Sequence, residues 1–265
     1  MSNVLRAAMR PILNLVLSLT VITVVWVALL EIFDVSGIIG KGPLDVYEYL
    51  FAEEGSAANR DVVFGDFRVT MADTFIGFTA GLVVAATTAM MFQLFKGFEA
   101  AVMPLAMICR SVPLVAMAPI IVLIFGRDWV SVAAMGTIVV IFPALVTIVE
   151  GLRSSSGAMT EVVQVYGGSN ATILRKVAIP ASLPSFFTAT RVSIPGALTG
   201  ALLAEWLATG DGVGYGVFQA IAHTDYDRLW ASVVVVTLAS LLIYSFVGVV
   251  ERLVARRTGI GLNAA

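Results

Sequence analysis

Few side chains in this chain are of a kind that does chemistry, and their settings narrow what chemistry is open to it. His223 is the single histidine, in the polar stretch "AIAHTDYDRLW" beside Asp225 and Asp227. One imidazole and two carboxylates in a solvated loop fall short of a metal site, so no metal is expected. Cys109, the single cysteine, lies in an apolar run and reads as a small packing residue. Gly210, Gly212, Gly214 and Gly216 mimic a dinucleotide-binding loop, but they follow a helical pattern instead of a strand and read as a tight external turn. No G-x4-G-K-[ST] phosphate loop occurs, and "GIIGKGP" at residues 37–43 lacks its spacing. Three charges, Arg110, Arg191 and Glu205, interrupt or border apolar stretches, where each costs about 2.5–3.5 kcal/mol on insertion scales and so marks a functional candidate. Arg110 precedes Pro113 and Pro119, which loosen a helix where backbone can face protein or a water-filled path. Arg191 is expected to snorkel to the cytoplasmic surface.

The elements that position these residues are membrane spans. The chain is 59 % hydrophobic and 13 % charged over 265 residues, with a mean hydropathy of +0.96. A soluble domain is about a quarter charged. A helix needs about 20 apolar residues to cross the hydrocarbon. Apolar windows predict six spans, at residues 12–30, 74–95, 100–126 (interrupted by Arg110), 129–149, 184–207 (carrying Arg191 and Glu205) and 229–250. The first is too long for a secretory signal and lacks a small-residue cleavage site, so an uncleaved span is expected. With both termini inside, Arg6, Arg10, Lys96, Arg153, Arg175, Lys176, Arg252, Arg256 and Arg257 fall on the cytoplasmic side. Lys41, Arg60, Arg68, Arg127 and Arg228 fall outside, which agrees with the positive-inside rule. Trp129, Trp206 and Trp230 then sit near outer span ends, as an aromatic belt requires.

Two connecting segments are long. The outer one, residues 33–73, places Leu44, Tyr47, Leu50 and Phe51 at helical spacing and is expected to be a short interfacial helix followed by a loop. The inner one contains "EVVQVYGGSNATILRKVAIPASLP", from Glu161 to Pro184. There a short helix should end at Gly167 and Gly168, where the chain needs positive φ. Ser169 or Asn170 should cap a second short helix through Val177, which Pro180 and Pro184 end before the next span. A rigid element of this kind on the cytoplasmic surface suits contact with another protein.

Glu161, Val162 and Val163, then three residues, Gly167, nine residues and Val177-Ala178-Ile179-Pro180, resemble the EAA loop of ABC-importer permeases, E-A-A-x3-G-x9-I-x-L-P. Valines replace both alanines, Val177 the isoleucine and Ile179 the leucine. "RSVPLVAMAPIIVLIFG", "EGLRS" and "AEWLATGDGVGYGV" are similar to the branch serving nitrate, sulfonate, taurine and pyrimidine-precursor importers. Where that branch usually has an arginine this chain has Asp73, so no role is carried to it. The resemblance spans roughly residues 70 to 252. It implies an all-α, polytopic type I importer permease with about six transmembrane helices: a first span and external loop (1–69), a permease core (70–252, EAA loop 158–184) and a cytoplasmic tail (253–265). It further implies a bacterial plasma-membrane location, with no nucleic-acid partner. Glu161, Val163, Gly167, Gly168, Val177, Ile179 and Pro180 would couple the chain to ATPases, and Glu205 and Trp206 would line the path with Arg110, Pro113 and Pro119. The implied partners are two ATP-binding cassette subunits, which use ATP and Mg that this chain does not bind, a second permease copy or paralogue, and an external solute-binding protein. The solute would be small and polar or anionic. An ion-coupled secondary transporter is the alternative, but such carriers carry matching halves and none is found. A membrane enzyme would need clustered carboxylates, histidines or a nucleophile at one face.

Overall fold

The computed structural model describes residues 2–155 and 157–258, with side chains for 16–155 and 157–255. Every element among them is helical. Helix α1 is Ser2–Ile32, α2 Pro43–Tyr47, α3 Ser56–Leu94, α4 Lys96–Ser111, α5 Leu114–Phe125 and α6 Trp129–Arg153. They are followed by α7 Gly157–Val165, α8 Asn170–Ile173, α9 Ile179–Ala204, α10 Gly212–Ala222 and α11 Tyr226–Thr258. Four helical stretches are long and apolar enough to span a bilayer, and α4 with α5 makes a fifth if the pair is one bent span. Helix α1, whose described apolar part is Val16–Ile32, adds a further apolar helix.

The core is a three-helix crossing of α3, α6 and α9 built on glycine. A Cβ added to Gly77 would lie 2.7 Å from the Gly136 Cα, and one added to Gly200 would lie 3.0 Å from it. In lipid, where hydrocarbon outside matches hydrocarbon inside, such close backbone approach and the packing it permits replace the hydrophobic drive between helices. Gly77 faces Gly136 and Gly81 faces Val140, so α3 and α6 run parallel. Gly151 meets Ser182 and Ser185 while Gly136 meets Gly200, so α9 runs antiparallel to both. Below the glycines, Ala85, Ala89, Phe92, Leu145, Leu152, Leu174 and Ala178 form one buried cluster at the end that carries α7.

Parallel α3 and α6 require the chain between them to return across the bundle. Glu99 at the start of α4 pairs with Arg153 at the α7 end, whereas Ala118 and Ile121 of α5 pack with Val132, Met135, Ala204 and Ala208 at the opposite, α10 end. The segment expected as one span at 100–126 is therefore a broken one, bent by 105°. Val112 is extended at φ −83, ψ 123 ahead of Pro113, because a residue before proline is driven out of the helical region. Pro119 stays inside α5, so only one of the two prolines breaks the chain.

One further expectation is corrected. The outer loop expected up to residue 73 is mostly helix, since α3 starts at Ser56 just after Gly55 at φ +98. Its polar first turns are anchored: Asn59 Nδ2 donates to the Tyr49 carbonyl, Arg60 Nη1 to the Leu50 carbonyl, and Asp66 pairs with Arg228 at 2.9 Å. The short outer helix is present as α2 and the wide turn Glu48–Ala52 that continues it. It buries Val46 and Leu50 and leaves Leu44, Tyr47 and Phe51 exposed. Helix α1 joins there, with Trp26 stacked on Trp230 at 5.3 Å.

Candidate functional site

Helices α7 and α8 form a helix-turn-helix beyond the end of the bundle. Helix α7 closes as Tyr166, Gly167 and Gly168 N–H groups donate to the Val162, Gln164 and Val163 carbonyls. Gly167 has φ +75, the left-handed conformation its position in the sequence called for. Gly168 is needed for space instead: a Cβ there would lie 2.4 Å from Val163 Cγ1. Ser169 is the cap of α8, its hydroxyl accepting from the Thr172 N–H at 3.4 Å.

The expected stop at Pro180 does not occur. From Asn170 the chain is helical without a break to Thr209, 40 residues. The turn Leu174–Ala178 is widened, and the Ile179 N–H reaches back to the Leu174 carbonyl. That widening absorbs the donor that Pro180 lacks. Leu174, Val177 and Ala178 are buried against the bundle, whereas Glu161, Gly167, Ile179 and Pro180 are exposed and Val163 and Gly168 half-buried. Val162, Val165 and Tyr166 expose 56 %, 85 % and 88 % of their surface, an apolar face on a segment outside the spans.

The intramembrane charges are placed apart. Arg110 and Pro113 sit at the α4–α5 break and, like Pro119, are exposed on this chain. Trp206 is 45 % exposed beside Phe218. The wide turn Glu205–Thr209 that carries it packs on α5. Glu205 differs from these: it is fully buried, and its Oε2 accepts from Thr70 Oγ1 at 3.0 Å and from the Gly214 N–H at 2.7 Å. Thr70 Oγ1 in turn accepts from the Val213 N–H at 2.9 Å. A carboxylate at a helix N-terminus satisfies donors that have no partner within the helix, so Glu205 fastens α10 to α3 and α9. With no exposed surface it lines no open path in this conformation.

The glycine run splits between two settings. Gly210 and Gly212 turn the chain at φ +78 and +79, while Gly214 and Gly216 lie inside α10. Beyond the turn is a polar cleft of about 400 Å³ lined by Asp66, Asp211, Tyr215, Gln219, His223 and Arg228. Among the described residues, no group of three or more His, Cys, Asp or Glu is placed to hold a metal ion. Arg191 does not snorkel freely. Its guanidinium donates to Glu251 Oε2 at 2.7 Å and to the Tyr244 hydroxyl at 2.9 Å, and lies 4.7 Å over the Tyr244 ring. Thr70, Tyr244 and Glu251 carry no sequence signal of these roles, because each partner is more than fifty residues away.

A family model for the binding-protein-dependent transport system inner membrane component matches residues 77–260. A probable ABC transporter permease protein of Haemophilus influenzae is 25 % identical over 224 residues, covering 84 % of this chain and 89 % of that protein. The formylaminopyrimidine transport permease protein ThiX of Halalkalibacterium halodurans is 27 % identical over 195 residues, covering 74 % and 78 %. A solved bacterial ABC transporter involved in the import of the acidic polysaccharide alginate shares the fold, with a TM-score of 0.57 at 14 % identity over 90 % of this chain and 95 % of that one. With most of its length matched, parallel and antiparallel spans included, the chain belongs to the binding-protein-dependent inner-membrane transport components, the permeases of ABC importers.

Proposed function

We propose that this permease carries a small polar or anionic solute across a bacterial plasma membrane, with both termini cytoplasmic, and is driven by two ATP-binding subunits that dock on α7 and α8. A second copy or a paralogue completes the path, and an external solute-binding protein supplies the solute. ATP and Mg are used in the partner subunits. Glu161, Val163, Gly167, Gly168, Val177, Ile179 and Pro180 form or brace the docking element, and Arg110, Pro113, Pro119 and Trp206 border the path. Arg110 at the helix break offers a cation to an anionic group on the solute.

The observation that carries this reading is mechanical. An exposed apolar and acidic helix-turn-helix leads, with no intervening loop, into one 40-residue helix through the core. A push on α8 is therefore delivered along α9 without being lost in a flexible joint. Nucleotide and solute bias this motion only through different affinities for its two end states. Among relatives, ThiX is named for formylaminopyrimidine transport, which supports a small polar solute.

The test is gentle detergent extraction of the tagged chain from its host and mass spectrometry of what accompanies it. An ATP-binding subunit held near one-to-one, and lost in the Glu161→Ala, Gly167→Asp double variant, is the expected result. Its absence beside other intact complexes would overturn docking on α7 and α8.

A further inference from the structure

The apolar middle of helix α11 packs little against the bundle. Only 6 % of its most apolar window is buried, against 50 % for the Asn170–Thr209 helix. The apolar contacts of α11 are confined to its first third, where Trp230 and Ala231 pack with Trp26 and Val63, and Val236 with Leu198; its other ties are polar and lie near its two ends. Toward its start, Arg228 pairs with Asp66, Asp227 with Lys41, and the Trp230 indole donates to the Ile39 carbonyl. Toward its other end, one side chain of α9, Arg191, engages Tyr244 by hydrogen bond and ring face and Glu251 by ion pair. Gly248 lies between them, and a Cβ there would already touch the guanidinium at 3.7 Å. Two turns of α11 thus form a seat for a single cation.

We propose that Arg191, Tyr244 and Glu251 form a clamp that makes α11 move with α9, so that displacement of the docking element reaches the last span; the proposal rests on the importer reading above. Arg191 stands twelve residues past Ile179, about 18 Å along the helix that begins at α8. Its position follows that of the docking element because no break intervenes. Tyr244 is fourteen residues beyond Trp230, about 21 Å down α11, and Glu251 is two turns further, so the clamp sits at the α7 end of the last span. Glu251 is nearly buried, so separating the pair there would leave its carboxylate short of a partner, which is costly when a partner is removed. The two helices therefore travel together or the clamp must break. Arginine suits the task because its planar fork serves two acceptors at once and stacks on a ring, whereas lysine offers a single point charge. Arg191 is then a positioning residue of the cycle.

The experiment uses the complex purified with its ATPase, in a Cys109→Ser background with Leu253→Cys, an exposed site on α11, as reporter. Maleimide labelling is followed without nucleotide and with ATP plus vanadate, alongside ATP hydrolysis. The labelling rate is expected to change about tenfold on trapping, within the range of coupling energies found in shared networks. Glu251→Gln and Arg191→Lys are expected to keep hydrolysis and lose that response, and Tyr244→Phe, which removes only a hydroxyl, to lose part of it. A response in Arg191→Lys and Glu251→Gln equal to that of the parent, or no response in the parent, overturns the clamp. Should the two charged-residue variants fail to assemble, an undiminished response in Tyr244→Phe overturns it. No ATPase on the parent chain would instead overturn the importer reading.

Discussion

Thr70 and Glu205, 135 residues apart, are both fully buried and share a hydrogen bond of 3.0 Å. Thr70 gives its hydroxyl proton to the carboxylate and accepts from the Val213 N–H, so one hydroxyl ties α3, the end of the α9 helix and the start of α10. Thr70→Val keeps the shape and removes both bonds. The variant should lose about 1–3 kcal/mol, the cost of leaving a buried donor and acceptor short of partners. Thermal melting of the detergent-purified chain reads it, and Thr70→Ser should melt closer to the parent.

Gly210 and Gly212 separate backbone strain from collision. Both have φ near +80, so alanine at either meets the left-handed penalty of roughly 1–2 kcal/mol. Around Gly210 there is nothing within 4 Å, but a Cβ on Gly212 would lie 2.4 Å from the Glu205 carboxyl carbon. Gly212→Ala must therefore also displace Glu205 from Gly214 and Thr70. It should melt lower than Gly210→Ala, and equal losses would show that the carboxylate shifts freely.

What the sequence made legible follows from which interactions are local. Spans are set by composition, so 129–149 and 229–250 fall within α6 and α11. The left-handed Gly167 and the cap at Ser169 depend on neighbours three or four residues away, and both were readable. The first turns of α3 were not, because Arg60 and Asp66 resemble loop residues until Leu50 and Arg228 are brought to them. Arg191 looked like a snorkelling charge for the same reason, its partners lying 53 and 60 residues on. Prolines misled in both directions: Pro180 sits in an unbroken helix through a widened turn, and of Pro113 and Pro119 only the first interrupts.

The glycine crossing should tolerate no side chain. A Cβ on Gly136 would lie 2.6 Å from the Gly77 Cα, and backbone cannot rotate away as a side chain can. Gly136→Ala is expected to part α3 from α6 at a cost of about 1–3 kcal/mol or more, as overpacking does. Gly97→Ala is the control, since Gly97 lies in α4 with open space around it. There alanine's better helix propensity should leave stability unchanged or up to about 1 kcal/mol higher.

In the proposed docking element the glycine of the resembled motif is Gly167, yet the structure makes its neighbour the less replaceable. Gly167 has φ +75 with nothing within 4 Å of a Cβ, so Gly167→Ala carries backbone strain of about 1–2 kcal/mol and no collision. Gly168 has ordinary φ, but its Cβ would strike Val163 at Cγ1 and, at 2.7 Å, its carbonyl oxygen. That carbonyl accepts the Gly168 N–H which closes α7, so the collision falls on the bond that sets the angle between α7 and α8. Gly168→Ala should therefore tilt the face carrying Val162, Val165 and Tyr166 while leaving the bundle below it intact. On the importer reading, ATP-binding subunit recovered with the chain should fall severalfold in Gly168→Ala and less in Gly167→Ala, at similar melting temperatures. The reverse order would mean that the partner contacts the turn at Gly167 directly and is indifferent to how α7 is set.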